Sequence, residues 1–209
     1  MATSYLTKTF GSPGNLDKWT WSAWIKKAKP ATASSLYGVY VNATNWEKIE
    51  FLSTGQLYWE NHTSGSGVAE MKTTRVFKDT AAWYHVVFVW DSANASAGNR
   101  QRIYINGVEE TSFVTDTQPS SGQDSLINND YQQQIGANGQ ANNDWQGCMT
   151  HVHFCDGYAY AASDFGETDA TSGIWTINTS PSVSYGTNGY FILKNSASVT
   201  DESPNSNNW

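Results

Sequence analysis

The sequence predicts an all-β fold, two antiparallel sheets packed as a sandwich or jelly roll. Short apolar runs recur along the chain, each closed by a cluster of Gly, Asn, Ser or Thr. No stretch of helical length carries apolar residues at i, i+3, i+4 and i+7. Aromatic side chains make up 14% of the 209 residues, with 10 Trp, 11 Tyr and 8 Phe. That is enough area to fill one sizeable core, although only 39% of the residues are hydrophobic.

The elements follow in order. "KWTWSAWIKK" places Trp19, Trp21, Ala23 and Ile25 on one strand face and Trp24 on the other. "SLYGVYV", "WEKIEFL", "QLYWEN" and "TTRVF" are further short strands. "AAWYHVVFVWDSANASAGNRQRIYINGVEE" predicts a long hairpin. Its first strand runs from Trp83 to Trp90, a loop spans Ser92 to Asn99, and Ile103 and Ile105 point inward on the return strand. Asn106-Gly107 is a tight turn leading into a short strand from Val108, because both residues accept positive φ at little cost. On the first strand Tyr84, Val86, Phe88 and Trp90 oppose Trp83, His85, Val87 and Val89, so neither face looks solvated. Either that strand lies in the middle of a layered fold or its outer face meets another subunit.

Two more strands flank a Gly- and Asn-rich loop, Asn138 to Asp144. Beyond Asp156-Gly157 turn residues dominate until a last strand in "YFILK". Residues 1–195 therefore form one sandwich domain, and 196–209 a polar tail that wraps the surface or leads elsewhere.

Charge excludes whole classes of partner. A net charge of -7, with 12 Lys plus Arg against 19 Asp plus Glu, leaves no positive field for nucleic acid or an anionic membrane surface. No apolar run approaches the ~18 residues of a membrane span, and "MATSYLTKTF" is not a basic start followed by an apolar stretch. The expectation is a chain made in a cytoplasm, without membrane insertion or a signal peptide. Its two cysteines, in "GCMTHVHFC", would sit about 23 Å apart on opposite faces of one strand, against a disulfide limit of about 7 Å, and so stay unpaired.

"WYHVVFVWD" with "RQRIYINGV" resembles the paired-strand signature of laminin-G-like domains, which share the concanavalin A-like jelly roll of lectins and glucanases. "YLTKTFGSPGNLDKWTWSAWIKK", "VFKDTAAWYHVV", "CDGYAYAASDFGETDATSGIW" and "YGTNGYFILK" with "SPNSNNW" resemble, more narrowly, a group found in virion proteins of tailed phages, especially aquatic ones. The resemblance spans nearly the whole chain. It implies a concanavalin A-like jelly-roll β-sandwich of two antiparallel sheets, displayed on a phage virion as a capsid decoration, head fibre, tail fibre or adhesin. Its partners would be other virion proteins or copies of itself, with contact to host or environmental glycans as an added role. A secreted or cell-surface carbohydrate-binding module (lectin) is the alternative, and a glycoside hydrolase ranks third.

Catalysis finds little support. Glucanases of this jelly roll use Glu-x-Asp-x-x-Glu, whereas "ETDATS" offers Glu167 and Asp169 but has Ser172 in the third place, within a loop-like stretch. His151 and His153, with Met149 and Cys155 beside them on a regular strand, could hold a soft metal, but hydrogen-bonded strand histidines explain them better. Calcium is possible at Asp124, Asn128 and Asp130, with Asn129 between them, although Asn and Asp also simply make turns.

Sugar binding needs an aromatic face beside amides or carboxylates. Tyr58, Trp59 and Asn61, around Glu60, offer one such mixture, and Asn142, Asn143, Asp144 and Trp145 a second. Against them stands the core: Trp59 alternates with Leu57, in the phase of an inward residue, and Trp145 borders a strand in a place suited to core packing.

Overall fold

The computed structural model describes residues 4–195 and 197–209. Fifteen strands follow one another: β1 (Leu6–Thr9), β2 (Lys18–Lys27), β3 (Ser34–Asn42), β4 (Asn45–Phe51), β5 (Gln56–Thr63), β6 (Ser66–Val76), β7 (Tyr84–Asp91) and β8 (Gln101–Ile105). They continue as β9 (Val108–Glu109), β10 (Phe113–Thr117), β11 (Gln132–Ile135), β12 (Gly147–Asp156), β13 (Gly166–Thr168), β14 (Trp175–Ile177) and β15 (Tyr190–Ile192). Seven form one sheet, in the order β1-β11-β3-β4-β5-β6-β10, and six the other, in the order β15-β12-β2-β7-β8-β9. β13 and β14 pair separately as a small hairpin. All strand neighbours are antiparallel, as the jelly-roll expectation requires. No helix among the described residues is long and apolar enough to cross a membrane.

Alternation builds the core between the sheets. Trp19, Trp21, Ala23 and Ile25 of β2 are fully buried in it. Trp19 lies 5.4 Å from Trp59 of the opposite sheet and 5.8 Å from Phe154 of its neighbour β12, ring centre to ring centre, so the two sheets interlock through indoles. Each such side chain contributes about 1.5–3 kcal/mol by leaving water. The turn after β8 has φ of 49° at Asn106 and 83° at Gly107, the doubly positive conformation that matches strand twist.

β7 is buried on both faces, and its cover comes from this chain. Tyr84, Val86, Phe88 and Trp90 face the inter-sheet core, while Val87 and Val89 join Tyr104, Cys155, Phe165, Tyr185 and Phe191 in a second cluster outside the six-stranded sheet. Residues 158–187, including β13 and β14, lie over that cluster as a third layer. Thr20 Oγ1 fastens it, donating to the Tyr158 carbonyl and accepting from the Tyr160 amide, both at 2.8 Å. The strand thus takes the first of its two expected settings, the middle of a layered fold.

A β-bulge between Thr150 and His153 shifts the register of β12, with His151 at φ 49°. Met149 packs on the inter-sheet core and Cys155 in the outer cluster, so the shared face expected for His151, His153, Met149 and Cys155 does not exist. Cys148 is exposed, Cys155 is buried, and both are free.

The boundary drawn between 195 and 196 falls at Ser196, outside the described residues. The segment that follows is fastened to the sandwich. Asp201 accepts backbone N–H bonds from Phe191 and Ser203, each at 2.8 Å. Trp209 packs edge-on against Tyr190 (4.9 Å), Tyr37 (6.3 Å) and Phe10 (6.5 Å). Beside it, Lys8 Nζ of β1 donates to the Asn208 carbonyl at 2.8 Å.

Candidate functional site

The period of two in β4 and β5 sorts side chains to opposite faces of the seven-stranded sheet. Glu47, Ile49 and Phe51 point into the core with Leu57, Trp59 and Asn61, and are all buried. Trp46, Lys48 and Glu50 point the other way, with Tyr58, Glu60 and His62, onto a face over which the described residues form no further layer, although Glu50 and Glu60 are nearly buried there. Trp46 stacks on His62 with ring centres 4.0 Å apart and planes 13° from parallel. Lys48 Nζ sits 5.1 Å from the Trp46 ring centre, and bridges Glu50 at 2.8 Å and Glu60 at 3.0 Å. Burial opposes the Lys48 charge, but hydrogen bonds and ion pairs to those two carboxylates outweigh it and raise its pKa.

Each oxygen of the two carboxylates takes a donor. Glu50 Oε2 accepts from Ser35 Oγ and Asn143 Nδ2, both at 3.2 Å. Glu60 Oε2 accepts from the Tyr58 hydroxyl at 2.6 Å, and burial, with that carboxylate adding to it, raises the Tyr58 pKa and keeps the phenol protonated. A groove of about 160 Å³ opens beside this network, lined by Tyr40, Trp46, Lys48, Asn138 and Gln140. The loop carrying Asn138 can lie this close because it crosses Gly38, where any Cβ would collide with the backbone of Asn138 and Gly139.

The sequence candidates divide accordingly. Tyr58 stands on the open face. Trp59 and Asn61 are corrections: both are fully buried, and both serve the Glu47 carboxylate. Glu47 Oε1 accepts from Trp59 Nε1 at 3.1 Å. Its Oε2 accepts from Asn61 Nδ2 (3.1 Å), Ser125 Oγ (2.7 Å) and the backbone N–H groups of Leu126 (2.8 Å) and Ile127 (3.2 Å). Burial pushes the Glu47 pKa up against those bonds. Trp59 and Asn61 thus tie the 125–127 segment to the sheet and offer nothing to a ligand.

In the second group, Asn142 is exposed, and Asn143 reaches the open face through Glu50. Asp144 is partly buried. Trp145 is a further correction: it leans on Phe51 at 6.0 Å and donates from Nε1 to the Cys148 carbonyl at 3.3 Å, so it belongs with the core. Tyr40, Trp46, Lys48, Asn138 and Gln140 were not singled out from sequence. The alternation of "WEKIEF" is the signal that finds Trp46 and Lys48.

The calcium candidates occupy unlike surroundings. Asn128 is fully buried and spends its amide nitrogen on Asp156 Oδ1 (2.7 Å) and the Asn15 carbonyl (3.0 Å), whereas Asp124 and Asp130 are exposed. Among the described residues no group of three or more His, Cys, Asp or Glu is placed to hold a metal ion. His153 is buried against Tyr185, whose hydroxyl lies 2.9 Å from Nδ1, and burial holds its pKa well below the usual value. Asp169 caps its own turn, accepting from the backbone N–H groups of Thr171 and Ser172.

No curated protein sequence matches the chain. Among solved structures, a native heptameric SAP-like pentraxin from Limulus polyphemus is similar at TM-score 0.55 and 15% identity, covering 93% of this chain and 90% of that one. Domains LG4-5 of the mouse laminin alpha1 chain align at TM-score 0.52 and 10% identity, over 91% of this chain and 45% of theirs. These likenesses concern the fold. Residues 2–163 match the profile described as the concanavalin A-like lectin/glucanases superfamily, and the chain belongs to that family.

Proposed function

We propose that this chain is a non-enzymatic carbohydrate-binding module whose open seven-stranded face takes an oligosaccharide, and that it works as a displayed protein of a phage particle. The observation that carries the binding reading is the groove between Trp46, Tyr40 and the Asn138–Gln140 loop. The apolar face of a pyranose stacks on an indole fixed by His62, while Lys48, Asn138 and Gln140 serve its hydroxyls.

The two carboxylates paired beside the groove argue for binding over cleavage. Glycoside hydrolysis needs one carboxyl group to carry a proton and a second, free one to attack or to activate water. Here Lys48 bridges both Glu50 and Glu60, and their remaining oxygens are occupied by Ser35, Asn143 and Tyr58. The role as a capsid decoration, head fibre or tail fibre rests on the sequence resemblance alone. Copies of this chain and other virion proteins are the partners it implies.

A glycan array followed by calorimetry tests the binding reading. Trp46→Ala is expected to weaken the best-bound glycan at least about tenfold. Binding is expected to persist in EDTA, because the groove is lined by amides, aromatic rings and an ammonium rather than by ion ligands. Loss of all binding on chelation, or unchanged affinity in Trp46→Ala, sinks this site. Mass spectrometry of purified phage particles tests the display separately, and absence of the chain from particles removes the virion role while leaving the glycan site standing.

A further inference from the structure

A second aromatic groove lies on the opposite side of the molecule, at the edge of the third layer. It has a volume of about 420 Å³, within the roughly 300–1,000 Å³ of small-molecule sites, and is lined by Trp24, Trp83, Thr150, His151, Trp175, Thr176 and Ile177. Three indoles from three separate elements meet there. Trp83 is 41% exposed although it is one of the largest apolar side chains in the molecule.

Two walls are held rigid from behind. The Trp24 ring stacks on His85 at 5.2 Å and His85 on Trp175 at 5.9 Å, each pair within 21° of parallel. Trp175 Nε1 donates to His85 Nδ1 at 3.1 Å, so His85 carries its proton on Nε2 and donates it to Ser22 Oγ at 2.9 Å. The floor is thereby fixed before any ligand arrives.

The β12 bulge supplies the polar rim. In a regular strand Thr150 and His151 would face opposite ways, yet both line the groove because His151 adopts φ 49° at the bulge. The Thr150 hydroxyl donates to the Leu193 carbonyl at 2.8 Å, so toward His151 Nδ1, 2.9 Å away, it can only accept. His151 Nδ1 therefore bears the proton, and Nε2 is an acceptor. Burial, with Lys194 adding to it, lowers the His151 pKa and keeps that acceptor free of a proton. The Thr176 hydroxyl donates to the Glu167 carbonyl and retains lone pairs.

We infer that this groove is a second saccharide site, in which a neutral pyranose stacks on Trp83 and Trp175 and donates a hydroxyl proton to His151 Nε2. An alkyl or lipid occupant would cover the same indoles but leave the His151 acceptor without a partner. The inference shares its ligand class with the open-face reading but none of its residues, so either site can fail alone.

Protein with nitrogen-15 in its tryptophan indoles, titrated with the methyl glycosides of glucose, galactose and mannose, separates the two sites. Saturable shifts of the Trp83 and Trp175 N–H signals are expected in the wild type and in Trp46→Ala. They should disappear in Trp83→Ala, whose exposed side chain can be removed without unfolding the protein, and fall at least fivefold in affinity in His151→Phe. The Trp46 signal reports the open face independently. No saturable shift at Trp83 or Trp175, or a Trp175 shift that survives Trp83→Ala, overturns the second site. Shifts at Trp83 that follow protein concentration without sugar would instead make the groove a contact between copies, and also overturn it.

Discussion

The two outer faces of the sandwich are built on opposite principles. The six-stranded sheet turns Val87, Val89, Cys155 and Phe191 outward, and the chain must spend residues 158–187 to cover them. The seven-stranded sheet turns Trp46, Lys48 and Tyr58 outward and partly exposed, with Glu50 and Glu60 nearly buried between them and no further layer of described residues above. Aromatic content alone does not decide which face is buried. What differs is the setting of each ring: on the covered side the rings touch other apolar groups, and on the open side they are interleaved with ion pairs that keep the face wet.

Breaking the cover should have the largest effect. Phe165 is 1% exposed and packs against His153 and Tyr160, so Phe165→Ala is expected to cost about 3–5 kcal/mol in urea unfolding. A loss below about 1 kcal/mol would mean that the third layer is ornamental to the sandwich.

Acid attacks the same side next. Burial pushes the His85 pKa down to about 3 and holds His153 well below its usual value. Both are neutral in the fold, whereas an unfolded histidine takes up a proton near pH 6.5. Between these limits the unfolded chain binds the extra protons, so stability is complete above about pH 6.5 and falls as the pH drops. For His85 the slope is about 1.4 kcal/mol per pH unit, or about 2 kcal/mol at pH 5, and His153 acts in the same direction. Urea unfolding at pH 7 and pH 5 measures it, and His85→Gln should shrink the difference by about 2 kcal/mol. An unaltered difference would place the acid sensitivity elsewhere.

The open face should respond least in stability. Trp46 is only partly buried, so Trp46→Ala is expected to shift the unfolding free energy by about 1 kcal/mol or less. A larger loss would show that this face supports the fold rather than standing ready for a ligand, and would narrow the contrast between the two sides.

Particular residues show how far sequence reading reached. The alternation Trp19, Trp21, Ala23, Ile25 and the Asn106-Gly107 turn were legible because period two and positive φ are local properties. The doubly apolar β7 was legible as a buried strand, but its cover was not, since "GETDATSGIW" has turn composition and conceals the β13–β14 hairpin. Trp59 and Trp46 illustrate the difficulty at the site. Both are strand tryptophans beside a carboxylate, and they go to opposite faces of one sheet because Trp46 is in phase with Lys48 and Glu50 while Trp59 is in phase with Leu57 and Asn61. The bulge at His151 has no signature in the residue pattern at all, so the shared face expected of His151, His153, Met149 and Cys155 could be corrected only by geometry.

The contact between Lys8 and the Asn208 carbonyl has a consequence for architecture. β1 and the 201–209 segment share one corner of the molecule, closed by Trp209 on Phe10, Tyr37 and Tyr190. A unit of this shape can be spliced into a surface loop of a carrier protein without prying that loop apart, and it should survive circular permutation through a short joint at that corner. Tension applied through both ends would peel one corner before it reached the indoles at the centre.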